Sequence, residues 1–192
     1  MASERPGPLM TTTILEQQAH GEAWLARIKQ GDEQAFERFV RACYPTVLRM
    51  VSRYVVQHEL AEEVAQDVFV RIWDRRDRLE VHRGLIAYLL GAARNHALNA
   101  IAPLRERAAH VSIDDAMVTL SHDTVPDVMY GARELSQAMR ATVEQLSPRA
   151  REVFLLSRRD GLTPAQIAGV LGVNVQTVYT LLGRALGKLQ ET

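Results

Sequence analysis

Cysteine is almost absent from this chain: Cys43 stands alone, so a disulfide within the chain and a thiolate metal cluster are both excluded. It lies in an amphipathic stretch and reads as a buried thiol. No apolar run approaches the roughly 20 residues that a membrane span needs, and the N-terminus lacks the basic-then-apolar order of a signal peptide. The expectation is a cytoplasmic protein with no membrane insertion. Strand alternation with turn chemistry is missing throughout, which leaves an all-α fold. The six histidines are scattered, His58-Glu59 lacks the second histidine of a zincin helix, and no glycine-rich phosphate loop occurs. No enzyme, catalytic residue, metal or cofactor is therefore expected. Net charge is absent as well, with Lys plus Arg and Asp plus Glu at 23 each. That balance counts against a self-sufficient DNA binder, whose affinity normally rests on neutralising phosphates.

What is present is enough apolar content, 47% of 192 residues, for one medium domain or two small ones. Residues 1–20 carry Pro6, Gly7, Pro8 and three consecutive threonines without periodicity, and read as a disordered tail. From Gly21 to about Arg107 apolar residues recur at helical spacing, with breaks expected near Gly31, Pro45, His58 and the charged run from Asp74 to Gly84. Residues 108–130 hold Asp114, Asp115, Asp123 and Asp127 and no Lys or Arg, the composition of a flexible acidic linker. Extended, they could reach roughly 75 to 80 Å. Helical spacing resumes over residues 131–192. The segments carry net charges of −1, +2, −4 and +3 in chain order, so the positive charge lies in the two helical domains.

The second domain carries the clearest local signals. Thr163 and Gln166 make a capping box with Pro164 at the first helical position. Ile167, Ala168 and Leu171 face inward, Gly172 supplies the permissive turn, and Asn174 is placed to cap the next helix. This is a helix-turn-helix. In its second helix Val178, Leu182, Ala185 and Leu189 form a buried stripe, leaving Gln176, Thr177, Tyr179, Thr180, Gly183, Arg184 and Lys188 outward. Gln176, Tyr179 and Thr180 suit base edges in a major groove, while Arg184 and Lys188 suit phosphates; an ordinary helical hairpin with a polar face is the alternative. Upstream, Leu146-Ser147-Pro148-Arg149 opens another helix with Val153, Phe154 and Leu156 as its core.

In the first domain, a helix near residues 59–78 buries Leu60, Val64, Val68, Phe69, Ile72 and Trp73 and shows Glu62, Glu63, Gln66 and Asp67 on its other face. By itself that is a solvated face. The next helix buries Leu85, Leu89, Ala93 and Ala97 and leaves Tyr88, Arg94, Asn95 and Asn99 with polar atoms to place, by internal hydrogen bonds or by a ligand.

The run "LSPRAREVFLLSRRDGLTPAQIAGVLGVNVQTVYTLLGRALGKL" resembles region 4 of bacterial extracytoplasmic-function sigma factors, a two-domain branch of the sigma-70 family, and within it the iron-citrate-regulator-like group. "AEEVAQDVFVRIW" and "LIAYLLGAARNHALNA" resemble two helices of region 2. The resemblance implies a sigma factor that directs RNA polymerase core to specific promoters and initiates transcription. It implies that Glu62, Glu63, Gln66 and Asp67 meet the β′ clamp helices of core, with the β flap as a further contact. Tyr88, Arg94, Asn95 and Asn99 would touch the single-stranded −10 element, helped by the loop Arg75 to Gly84 holding a flipped base. The outward residues of the helix-turn-helix would read the duplex −35 element. An anti-sigma factor is a further partner the resemblance allows. Tyr179 and Leu181 stand where many relatives are basic, and Gly183 and Gly187 lower helix propensity, so region 4 alone is expected to bind DNA weakly.

Two other classes compete. A helix-turn-helix regulator would bind duplex DNA without polymerase, and gives no reason for the first domain's paired helices. A polymerase-binding or sigma-sequestering module would fit the neutral charge, and would support no promoter-dependent transcripts.

Overall fold

A computed structural model describes residues 14–107 and 142–190. These are α-helical with short turns, and no strand occurs among them. The linker at 108–130 lies outside the described residues.

The first domain holds α1 (Ile14–Lys29), α2 (Glu33–Val51), α3 (His58–Asp74), a short 3-10 turn (Arg76–Arg78) and α4 (Leu85–Arg107). Helix α1 begins at Ile14, so the expected tail boundary at residue 20 falls inside a helix and is corrected. Its C-terminal half is anchored: Ile28 is fully buried and Trp24 packs edge-on to Phe39 at 5.7 Å. A turn fixed by such packing extends backwards at little further cost. Gly31 then takes a φ of 79°, where a side chain would be strained, and the chain reverses into α2.

Asp32 caps α2 by accepting a hydrogen bond from the Ala35 amide at 2.9 Å and pairs with Arg27 at 2.5 Å. The Ala35 amide and then Arg27 hold its carboxyl below the usual value. The expected break at Pro45 does not occur, for Pro45 sits exposed inside α2. Cys43, Thr46, Val47 and Met50 are buried on either side, and that burial outweighs the roughly 3 kcal/mol a proline costs a helix interior. Phe39, fully buried, is the centre of the domain, with Trp24, Phe36 and Phe69 rings 5.7 to 6.2 Å away.

The second domain is formed by α5 (Pro148–Arg158), α6 (Pro164–Leu171) and α7 (Val175–Gln190), preceded by helical residues 142–144. Pro148 opens α5 and Pro164 opens α6, each at a first-turn position where the missing N–H costs nothing. Helices α6 and α7 turn through 108°, within the range of a helix-turn-helix. The two domains are packed together, α4 lying against α6, and one continuous apolar core runs from Ile28 and Phe39 to Leu156, Ile167 and Val178. Among the described residues no single helix is long and apolar enough to cross a membrane.

Candidate nucleic-acid interface

The turn that presents α7 is built as its residues dictate. Thr163 Oγ1 accepts from the Gln166 amide at 3.3 Å while the Gln166 side chain accepts from the Thr163 amide at 3.0 Å. Gly172 ends α6 at φ 65°, a left-handed conformation that favours glycine, and Asn174 Oδ1 accepts from the Gln176 amide at 2.8 Å. Val178 and Ala185 are fully buried, which fixes the rotation of α7 about its axis. Gln176, Thr177, Tyr179, Thr180, Arg184 and Lys188 are all exposed on the opposite side. Two are already engaged: Thr180 Oγ1 donates to the Gln176 carbonyl at 3.0 Å, and Lys188 Nζ donates to the Gln145 carbonyl at 2.7 Å. Lys188 thus ties the end of α7 to the start of the domain. Leu181 is half-buried and packs against the main core and against a smaller apolar cluster of Leu146, Ala150, Phe154 and Ala185, so a basic residue there would face the interior.

On α4, Tyr88, Asn95 and Asn99 are exposed at i, i+7 and i+11, one stripe of the helix. His96 beside them is half-buried, and burial followed by the charge of Arg71 holds its pKa below the usual histidine value, Arg75 adding to the effect. Arg94 does not join the stripe. It is 7% exposed and donates through Nε to Glu152 Oε1 of α5 at 2.8 Å. Burial is the largest single influence and works against its charge, but the Glu152 carboxylate and the Tyr54 hydroxyl together more than offset it and raise the pKa. The expectation that Arg94 faces a nucleic acid is corrected; an acid 58 positions away satisfies it instead.

Glu152 also accepts a short hydrogen bond from the Tyr54 hydroxyl. Burial and then the Glu152 charge push the Tyr54 pKa upward. Close by, Arg53 pairs with Asp160 at 2.5 Å, both nearly inaccessible. Burial lowers the pKa of both Arg49 and Arg159, the Asp160 charge opposing the shift in each. Sequence reasoning missed this polar group. One signal was available: Glu152 shares the inward face of α5 with Leu156, four residues on, and an acid on an apolar face asks for a partner.

Along α3, Glu63, Gln66 and Asp67 are exposed and Glu62 is half-buried, 3.3 Å from His58. Val70 continues this stripe at 56% exposure. Beside it a groove of about 430 Å³ opens between α2 and α3, lined by Phe36, Val40, Tyr44, Phe69 and Trp73 and rimmed by Glu33 and Gln66. The apolar floor was not foreseen, because each of its residues individually reads as core.

Two regions of one family match the chain in order: Sigma-70 region 2 over residues 39–106 and Sigma-70, region 4, over residues 136–189. The chain belongs to the sigma-70 family. The ECF RNA polymerase sigma-E factor of Escherichia coli strain K12 is 25% identical over 178 residues, covering 89% of this chain and 93% of that protein. The probable RNA polymerase sigma factor RfaY of Xanthomonas campestris pv. campestris is 28% identical over 179 residues, and this chain spans 44% of its length. Among solved structures, CnrH in complex with the cytosolic domain of CnrY superposes with a TM-score of 0.60 at 21% identity, covering 89% of this chain and 95% of that one. RpoE of Bartonella quintana, in complex with the anti-sigma factor NepR, does so at 0.56 and 23% identity, covering 81% and 94%. Both likenesses are of fold. In this sigma factor, region 2 therefore contains α3 and α4, and region 4 contains the helix-turn-helix.

Proposed function

We propose that the chain is an extracytoplasmic-function sigma factor that docks on RNA polymerase core and carries it to promoters bearing two separated recognition elements. The observation that carries this reading is the pairing, in one chain and in family order, of region 2 and region 4, each with its polar stripe exposed. Region 4 inserts α7 into the major groove of the −35 element. Gln176, Thr177, Tyr179 and Thr180 lie near its N-terminal end, where recognition helices meet base edges, and Arg184 meets phosphate. Region 2 presents Tyr88, Asn95 and Asn99 to the separated −10 strand, Tyr88 offering a ring for base stacking and the asparagines amides for hydrogen bonds. Neither role requires covalent chemistry by the chain.

Core polymerase is assigned to the stripe Glu62, Glu63, Gln66 and Asp67 together with the groove beside it. Acidic side chains steer and orient a basic partner, and the apolar floor with Val70 supplies buried area, the usual division between rim and centre of an interface. An anti-sigma factor, as in the complex described for the Bartonella relative, is a further partner we infer for this fold. Glu63→Lys with Asp67→Lys tests the docking face, both side chains being exposed and outside the core. The double variant is expected to keep its helical circular dichroism and lose co-purification with core polymerase. Undiminished co-purification contradicts the assignment.

A further inference from the structure

We propose that Arg49, Arg53 and Arg159 form a binding site for a small phosphorylated anion at the place where the ends of α2 and α5 meet. Arg49 lies in the last turn of α2, Arg53 in the turn that follows, and Arg159 directly after the last residue of α5. Arg53 Nη2 pairs with Asp160 Oδ2 at 2.5 Å and joins the two helix ends. Three guanidinium groups are thereby gathered around one carboxylate.

A purely structural role accounts for part of this charge. Helix C-termini carry roughly half a negative charge each, and cations near them are stabilising. Two such ends and Asp160 together oppose three guanidinium groups, so roughly one positive charge is left over. The arginines feel one another. Burial leads in lowering the pKa of Arg159, followed by the charges of Arg53 and Arg49. At Arg49 burial leads again, Asp160 opposes it, and Arg53 lowers it further.

Hydrogen bonding points the same way. The Arg53 side chain is 7% exposed, yet its donors are not fully used. Nη2 has Asp160, Nη1 has Met50 Sδ at 3.4 Å, a weak acceptor, and Nε is buried without a hydrogen-bond partner. Buried donors of this kind call for an oxygen acceptor. A water would satisfy Nε and leave the excess charge standing, whereas an anion answers both. Arg49 and Arg159 are half-buried, so solvent reaches them beside the deeper Arg53. Thr46 Oγ1 accepts from Arg49 Nη2 at 3.1 Å, which steadies that side chain and leaves its other donors for a ligand.

Guanidinium forks match phosphate oxygens, and a tetrahedral phosphate presents enough of them to meet three arginines, which a planar carboxylate does not. Depth selects the size of the ligand. Duplex DNA carries its phosphates on a convex surface and does not bring one to a guanidinium as enclosed as Arg53, while a small free anion reaches it. Inorganic phosphate and a small phosphate ester share the required chemistry.

Calorimetric titration of inorganic phosphate and of glycerol 3-phosphate into the free full-length chain, with ionic strength held constant by chloride, tests this. One anion per chain is expected to bind at about millimolar concentration or below, and the tighter of the two marks the source. Arg49→Gln with Arg159→Gln is expected to keep the helical circular dichroism of the wild type and lose at least tenfold in affinity. Arg49→Lys with Arg159→Lys keeps both charges without the forks; it is expected to lose about threefold, and carries the test if the glutamines cost helix. Absence of saturable heat with both anions, or undiminished affinity in a folded variant, overturns the site. A short DNA duplex whose binding depends on Arg49 and Arg159, when neither small anion binds, would assign these arginines to backbone phosphate and overturn it as well. Neither polymerase nor promoter enters the titration, so its outcome is separate from that of the promoter reading.

Discussion

Cys43 has no exposure, and burial pushes its thiol up to about 12 from an ordinary 9.0. Because the folded value lies above the unfolded one, the proton favours the folded state fully below pH 9.0, and that contribution is lost as pH rises from 9.0 towards 12. Thermal melts between pH 8 and 11 are therefore expected to fall more steeply for the wild type than for Cys43→Ala. Parallel melting curves would show that the thiol ionises freely. On α7, Gln176→Ala is expected to relax base preference at one position, while Arg184→Ala weakens binding to all sequences and lowers the salt slope by about 1. Binding titrations of the holoenzyme on −35 variants at several salt concentrations separate the two. Those outward residues were legible because Val178 and Ala185 fix the rotation of the helix. Arg94 was not, because its partner Glu152 arrives from another domain and no local periodicity records it.

Among the elements, α6 was the most legible: its proline, capping box and left-handed glycine all lie in local sequence, and each is found where it was expected. Thr163→Ala removes the acceptor of the Gln166 amide and is expected to cost about 1 kcal/mol. Because region 4 is small, loss of this cap should also weaken −35 binding; denaturant melts and DNA titrations of the same variant check both. The breaks were less legible. Pro45 sits within α2, since packing of Val47 and Met50 prevails over local preference. Helix α1 extends back to Ile14 because Ile28 and Trp24 anchor it from the far end, which no capping signal announces.

As a whole molecule the chain is neutral, and its two polar grips are modest. With 23 basic and 23 acidic residues in the chain, we propose that affinity for a promoter comes from joining two weak contacts on one polymerase. The family's two regions were visible in sequence, but the seam between them was not. It depends on a shared core and on Arg53, Tyr54, Glu152 and Asp160 meeting across more than 90 positions of chain. Mapping the 5′ ends of transcripts made from genomic DNA by purified core polymerase with this protein tests promoter-specific initiation most directly. The expected result is a discrete set of start sites, absent with core alone, sharing two upstream sequence blocks. Start sites indistinguishable from those of core alone would contradict it.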